Sequence, residues 1–227
     1  MEWSRISPRC IAPLLTLFVI AACTTSTPPA SSRADMQVAQ GSHEQVFLGR
    51  QLVINHDCGG CHGGGANPAA NGWLAGVMSP EQEFHVGACS VANPTAKPCF
   101  ITRPRNLTPD YTGLGEFTER QLFNSLRYGL RPEDTDDVEI TSTTPGQGNF
   151  PEHPHYLAPP MPWPAWRHMA DQELWAIAAY LHRGVKPFAN TVPESEGPPD
   201  FWASAYTAEK IGPHPALPFP TANEQLR

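Results

Sequence analysis

The chain is poor in charge for its 227 residues. Asp, Glu, Lys and Arg make up 16% of it, where an average soluble domain has roughly 25%. Basic residues are the scarcer kind, with 15 Lys and Arg against 22 Asp and Glu. A net charge of −7 excludes a nucleic-acid binder that works through a basic face. No apolar run reaches the roughly 20 residues that cross a bilayer. No internal repeat and no alternating strand pattern stands out. There is no phosphate-cradling glycine loop, no dinucleotide-binding glycine pattern and no Ser/His/Asp set, so the common enzymatic motifs are missing. Ten Phe, six Trp and five Tyr exclude a chain that is disordered throughout. Proline is abundant: 26 residues, about twice the usual share. Because proline ends helices, a long helical bundle is excluded. The expected form is all-α, a core of short helices carrying long, stiff, irregular loops.

The first residues read as an address. Arg5 and Arg9 precede an apolar run over residues 11–22, interrupted by Pro13 and Thr16. A charged start, a short apolar stretch and small residues at its end mark residues 1–22 as a secretory signal. The sequence Ile20-Ala21-Ala22-Cys23 resembles the lipobox of bacterial lipoproteins, in which the cysteine is lipidated and becomes the new N-terminus. The plainer alternative is cleavage near Ala22 with Cys23 incidental. Residue 24 is Thr and not the Asp associated with inner-membrane retention, which favours the outer membrane. Residues 23–42 have no apolar period and read as a lipidated flexible tether. The expected location is the bacterial periplasm, with the membrane reached through the lipid.

The cysteines carry the chemistry. Cys10 leaves with the signal. Cys58-Gly59-Gly60-Cys61-His62 is the c-type haem attachment signature. Two thiols three residues apart share one side of a helical turn and reach the two vinyl groups of one haem. The next residue sits under the iron, where its imidazole ligates it. The paired glycines are expected to keep the backbone close to the porphyrin edge. Half a zinc site is a poorer reading, because zinc wants a second close pair and Cys89 and Cys99 are too far apart for that. A thioredoxin-like redox pair would follow a strand, whereas a helical pattern precedes Cys58. The motif occurs once, so one covalently attached haem c is expected. Cys89 and Cys99 lie in an unperiodic Pro/Ala/Asn-rich stretch of an exported chain. They are expected to form a disulfide worth about 2–3 kcal/mol in the chain-entropy view.

Three helices are expected around the haem. Residues 44–56 carry Val46, Phe47, Val53 and Ile54, with Gly49 between them. Residues 118–127 open with Thr118 and Gln121 as a capping box and are followed by Gly129. Residues 171–182 place Leu174, Ile177, Ala178 and Leu181 at helical spacing and stop at Gly184. All these apolar positions are core packing.

Four stretches then resemble a class I cytochrome c, of the branch that includes cytochrome subunits of periplasmic dehydrogenases. They are Leu48-Gly49-Arg50 before Cys58-Gly59-Gly60-Cys61-His62, then Arg105-Asn106-Leu107-Thr108-Pro109-Asp110 with Gly113-Leu114-Gly115, then Pro160-Met161-Pro162-Trp163, and Leu174 to Leu181. The segment from Val185-Lys186-Pro187 to Val192-Pro193-Glu194-Ser195 also looks familial. The resemblance implies a three-to-five-helix cytochrome c-like domain over residues 43–195, with 196–227 an unmatched Pro-rich C-terminal extension. It implies Cys58 and Cys61 as the haem anchors, His62 as proximal ligand, Met161 as distal ligand, and Gly49 as the point where the first helix meets Tyr180 on the last. Ala170 stands where a capping Thr or Ser is usual, so Asp171 is expected to cap. The loops 63–104 and 131–160 depart from the pattern.

Met36, Met78, Met169, His85, His153, His155 and His168 compete with Met161. Met161 alone sits in a proline-stiffened loop, Pro159-Pro160-Met161-Pro162, between the second and third helices. His/Met ligation leaves no open iron position and raises the potential. The expected function is outer-sphere electron transfer to and from a redox partner protein, with no catalytic residue of its own. A haem enzyme or a redox or ligand sensor with a displaceable distal ligand is the rival reading.

Overall fold

The computed structural model describes residues 33–78, 82–198 and 200–226, with the backbone alone over 33–41. The signal segment and Cys23 lie outside the described residues. In chain order the elements are α1 (Arg33–Asn55), α2 (Cys58–His62), β1 (Phe84–Gly87), β2 (Cys99–Thr102), α3 (Glu119–Tyr128), α4 (Trp163–Trp166), α5 (Asp171–Ala179) and α6 (Ala208–Ile211). The described chain is mostly helical, with few strands and long loops, compatible with a cytochrome c-like fold. The first helix begins at Arg33, so the backbone of residues 33–42 is helical where the sequence suggests a tether.

The frame is the crossing of α1 over α5. A Cβ on Gly49 would fall 1.9 Å from the Ala176 carbonyl oxygen and 2.7 Å from Tyr180 Cβ. The two backbones therefore touch where α5 presents the fully buried Ala176, Ala178 and Ala179. Gly49→Ala cannot be absorbed by moving a flexible side chain, because the obstacle is backbone. We expect it to destabilise the protein by about 2–3 kcal/mol or more, read as a lower midpoint in denaturant unfolding.

Below the crossing, α5 continues into a wider π turn over Tyr180–Gly184, closed by Val185 N–H donating to the Tyr180 carbonyl at 3.1 Å. Helix and turn together replace the single helix expected over 171–182. They bury Leu174, Ile177, Tyr180 and Leu181 against Val53, Trp73, Leu122 and Leu126.

Helix α3 starts as expected. Thr118 Oγ1 accepts from Gln121 N–H at 3.2 Å, Gln121 Oε1 accepts from Thr118 N–H at 3.0 Å, and Gly129 closes the helix at φ 71°. The start of α5 differs from expectation. Glu173 accepts the Ala170 N–H at 2.8 Å, while Asp171 turns away to accept from the Arg127 guanidinium.

Two further departures lie in the loops. The insert after His62 holds an antiparallel hairpin, β1 with β2, in the register Phe84↔Thr102 to Gly87↔Cys99. An all-α reading omits it because each strand is four residues long, too short for alternation to show. Cys89 and Cys99 are joined by a disulfide at the end of the hairpin where the connecting loop 88–98 leaves the strands. Glu196 extends the pairing, exchanging both backbone hydrogen bonds with Ile101 at 2.8 Å.

The C-terminal segment is the other departure. It folds back on the domain instead of trailing from it. Trp202 is buried against Phe100, with ring centres 4.9 Å apart, and Tyr206 meets Trp163 at 5.0 Å. Arg167 Nη2 donates to the carbonyls of Ile211 at 3.2 Å and Gly212 at 2.6 Å.

His214 sits in this joint, its Nε2 3.0 Å from Arg127 Nη1. Burial lowers its pKa and the Arg127 and Arg167 guanidiniums lower it further, against an opposing backbone hydrogen bond. His168, whose ring centre is 5.5 Å away, is lowered by burial and by the same two arginines. Asp171 is the carboxylate at the cluster. A histidine whose folded pKa lies below its unfolded value contributes stability that is complete above about pH 6.5 and falls as pH drops through the folded pKa. Acidification from pH 7.5 to 5 should therefore lower the amide protection factors over residues 203–214, once each rate is divided by the intrinsic exchange rate at that pH. His214→Gln should flatten that dependence.

Candidate functional site

The turn that carries both free cysteines of the described residues is set by Asp57. Its left-handed backbone, φ 52°, breaks α1 and opens α2. Aspartate tolerates that conformation better than most residues. Cys58 is half-buried and Cys61 exposed. Burial pushes the Cys58 thiol up to about 12, and Asp57 and Cys61 push in the same direction against a backbone hydrogen bond. A redox pair needs the opposite shift in its attacking thiol, which Cys58 does not have.

The two glycines also have a reason within the chain itself. A Cβ on Gly59 would fall 2.1 Å from the Gly65 carbonyl oxygen and 2.9 Å from Trp73 Nε1, and one on Gly60 would meet the Asp57 carboxylate at 2.3 Å. Gly59 lets the following loop close over the turn, where Gly65 N–H donates to Gly59 O and Trp73 Nε1–H donates to Gly65 O, both at 3.0 Å, and Gly60 leaves room for the Asp57 carboxylate.

His62 is aimed by its outer nitrogen. Nδ1 lies 2.7 Å from the Arg105 carbonyl oxygen. A carbonyl can only accept, so Nδ1 carries the proton and Nε2 keeps its lone pair. Burial lowers the pKa of the ring, with the Arg105 hydrogen bond opposing, which favours the neutral imidazole that ligates metals.

The Arg105 carbonyl is itself held in place. Asn106, 1% exposed, donates to Phe188 O at 2.9 Å and accepts from Thr108 N–H at 2.9 Å. Leu107 N–H donates to Leu74 O at 2.8 Å, and Gly76 N–H to His62 O at 2.8 Å. Asn190 Nδ2 donates to the carbonyls of Ala75 and Val77 at 2.7 and 3.1 Å. Sequence reasoning missed Asn190 and the Arg105 carbonyl. The Arg105-Asn106-Leu107-Thr108 stretch was the only signal, and it did not say what the residues hold.

Met161 stands between α3 and α5. Its N–H donates to Ala158 O at 2.9 Å, and Leu157 N–H ties the loop to Gly129 O at 2.7 Å. α4 follows at once, with Trp163 3% exposed and Trp166 5.7 Å from the His56 ring. Met161 packs on the apolar cluster that Cys58 also touches, and so does Met169. Met78 is 58% exposed, His155 pairs with Asp134 at 3.0 Å, and His168 faces His214. His85 lies on β1 and His153 is exposed. The side chain of Met36 lies outside the described residues.

These residues fit a covalently held haem. The two thiols share a single helical turn, and a neutral imidazole oriented by a backbone carbonyl follows them directly. The neighbouring surface is an apolar cluster. Orientation of a metal-bound histidine through its second nitrogen is the usual outer-shell arrangement.

No protein-family model matches the chain. It is similar to the fructose dehydrogenase cytochrome subunit of Gluconobacter japonicus, 24% identical over 161 residues, or 70% of this chain and 25% of that protein. It is also similar to the gluconate 2-dehydrogenase cytochrome c subunit of Pantoea cypripedii, 25% identical over 162 residues, 70% of this chain and 27% of that one. A third likeness is to the cytochrome c subunit of the quinone-type alcohol dehydrogenase of Gluconacetobacter polyoxogenes, 29% identical over 85 residues, covering 37% and 14%. The chain thus spans about a quarter or less of the length of these relatives. The likenesses support a cytochrome c family relationship. Among the described residues no helix is long and apolar enough to cross a membrane.

Proposed function

We propose that this chain is an exported electron carrier that holds one haem c and serves as the cytochrome subunit of a dehydrogenase. The observation that carries the reading is His62, presented one residue after both cysteines with Nδ1–H committed to the Arg105 carbonyl. Its support from outside the chain is that the similar proteins are cytochrome subunits of dehydrogenases.

Cys58 and Cys61 anchor the group by thioether bonds, and His62 Nε2 is the proximal ligand. Met161 is the distal ligand, delivered by a loop tied to α3 on one side and run into α4 on the other. When bound, the haem iron supplies one-electron exchange between Fe(III) and Fe(II). The Asn106 and Asn190 bonds hold the Arg105 carbonyl still, so the His62 ring needs no rearrangement as the charge changes. The apolar cluster around Leu114, Leu126 and Met161 excludes water, which tunes the potential. In this reading 43–195 is the haem domain, Cys23 carries the lipid, and the chain works at the periplasmic face of the outer membrane with a protein donor and acceptor.

Carbon monoxide tests the function. The reduced protein should show no binding on mixing, because His62 and Met161 would together leave the iron no free position. Rapid binding would put a haem enzyme or ligand sensor in place of the carrier. Lipidation is tested separately: metabolic fatty-acid labelling should vanish in Cys23→Ser, and persistent labelling places the anchor elsewhere.

A further inference from the structure

A cavity of about 440 Å³ lies between α3, the loop 141–150 and the C-terminal segment 203–214. Cys58, Cys61, His62 and Met161 do not line it, so it is separate from the proposed haem site. Its volume is that of a small-molecule site. Two features define its chemistry.

One is charge. Arg127 and Arg167 line the cavity and are 6% and 7% exposed. Arg127 gives Nη1 to the Arg167 carbonyl and His214, and Nη2 to Asp171. Arg167 gives Nη2 to the Ile211 and Gly212 carbonyls, and its Nε faces His168 at 3.4 Å. Arg127 Nε, one N–H of Arg127 Nη2 and Arg167 Nη1 are not engaged in these bonds. Of the two buried guanidiniums only Arg127 has a carboxylate partner among the described residues, and that side chain, Asp171, is 77% exposed. Among the described residues Arg167 has no ion pair at all. Carbonyl oxygens take up its Nη2 hydrogens and leave its charge uncompensated, a costly state for a buried cation.

The other feature is the wall. Tyr128, Tyr156, Trp163 and Tyr206 present aromatic surface to the same space. A bare inorganic anion would leave that surface without a partner. A monocarboxylate with a ring or short chain behind it matches both halves, one negative charge for one unpaired guanidinium and an apolar body for the rings.

We propose that this cavity is a binding site for a small organic monocarboxylate, its carboxylate on Arg167 and Arg127 and its body against the aromatic wall. The proposal goes beyond electron transfer and stands independently of it. The test is calorimetric titration of the haem-loaded protein with benzoate at pH 7.5, with the Soret band followed in parallel. We expect saturable one-site binding at millimolar concentrations or below and an unchanged Soret band, which shows that the iron is not the ligand's target. Uncharged benzamide should not bind. Arg167→Gln should weaken benzoate binding at least tenfold. Arg167 also holds the C-terminal segment, so a second variant is needed. Ala208 is exposed and lines the cavity. Ala208→Trp should block benzoate without changing the unfolding midpoint. Binding that survives Ala208→Trp, or absence of saturation in the unmutated protein, overturns the site. Inorganic phosphate binding as tightly as benzoate overturns the carboxylate assignment.

Discussion

Cys58→Ala combined with Cys61→Ala is expected to abolish covalent haem altogether. The intact mass of the mature protein should fall by one haem, and any residual pigment should extract into acidified organic solvent. The reasoning runs from spacing to packing. Both thiols stand on the single turn of α2, and among the described residues no other free cysteine exists to substitute for either. His62 remains oriented by Arg105 in the double variant, so weak, extractable haem binding is compatible with the result. The effect on folding should be large as well. Cys58 packs on the central cluster with Val53, Leu126 and Leu174, and losing a group bound only by the native state removes its whole contribution to stability. Circular dichroism should show reduced helix content or a much lower thermal midpoint. Extractable haem in the unmutated protein would falsify the attachment.

Met161→Ala is expected to lower the reduction potential by on the order of 0.1–0.2 V, a fraction of the roughly 0.8 V range that axial ligands command. A thioether stabilises Fe(II) relative to Fe(III), so its loss shifts the balance toward the oxidised form. The near-infrared sulfur-to-iron charge-transfer band should vanish, and the reduced protein should now take up carbon monoxide. In the proposed ligation the loop would keep the sulfur in place in the unmutated chain. Pro160 and Pro162 limit the unfolded loop's freedom, so less entropy is lost on ordering it. The 157–163 segment is pinned at Gly129 and by buried Trp163. Met78→Ala removes an exposed side chain and should leave the band untouched. Met169→Ala is the sharper control, because Met169 packs on the same cluster. A band that survives Met161→Ala and disappears in Met169→Ala would reassign the ligand.

What could be read in the residues alone was what sits within one or two turns of chain. Cys58, Cys61 and His62 stand out because the thioether attachment and iron ligation proposed for them require adjacent letters. The Thr118–Gln121 cap and the Leu174–Ile177–Ala178–Leu181 stripe were legible for the same reason: hydrogen bonds and helical faces repeat at fixed short spacing. Gly49 was legible only through resemblance, and its physical meaning, a backbone contact with Ala176, needed both helices in place. Everything that joins distant segments was decided by the tertiary structure. His62 is oriented by a carbonyl 43 residues away, and a backbone carbonyl has no side-chain identity to mark it. The hairpin 84–102 is too short to show a pattern and exists through its partner strand, its disulfide and Glu196. The C-terminal segment offers no helical period, yet Trp202, Tyr206 and the carbonyls of Ile211 and Gly212 dock it onto Phe100, Trp163 and Arg167. Local spacing encodes local hydrogen bonds. The pairing of buried arginines with remote carbonyls and rings depends on where the whole chain has already been brought.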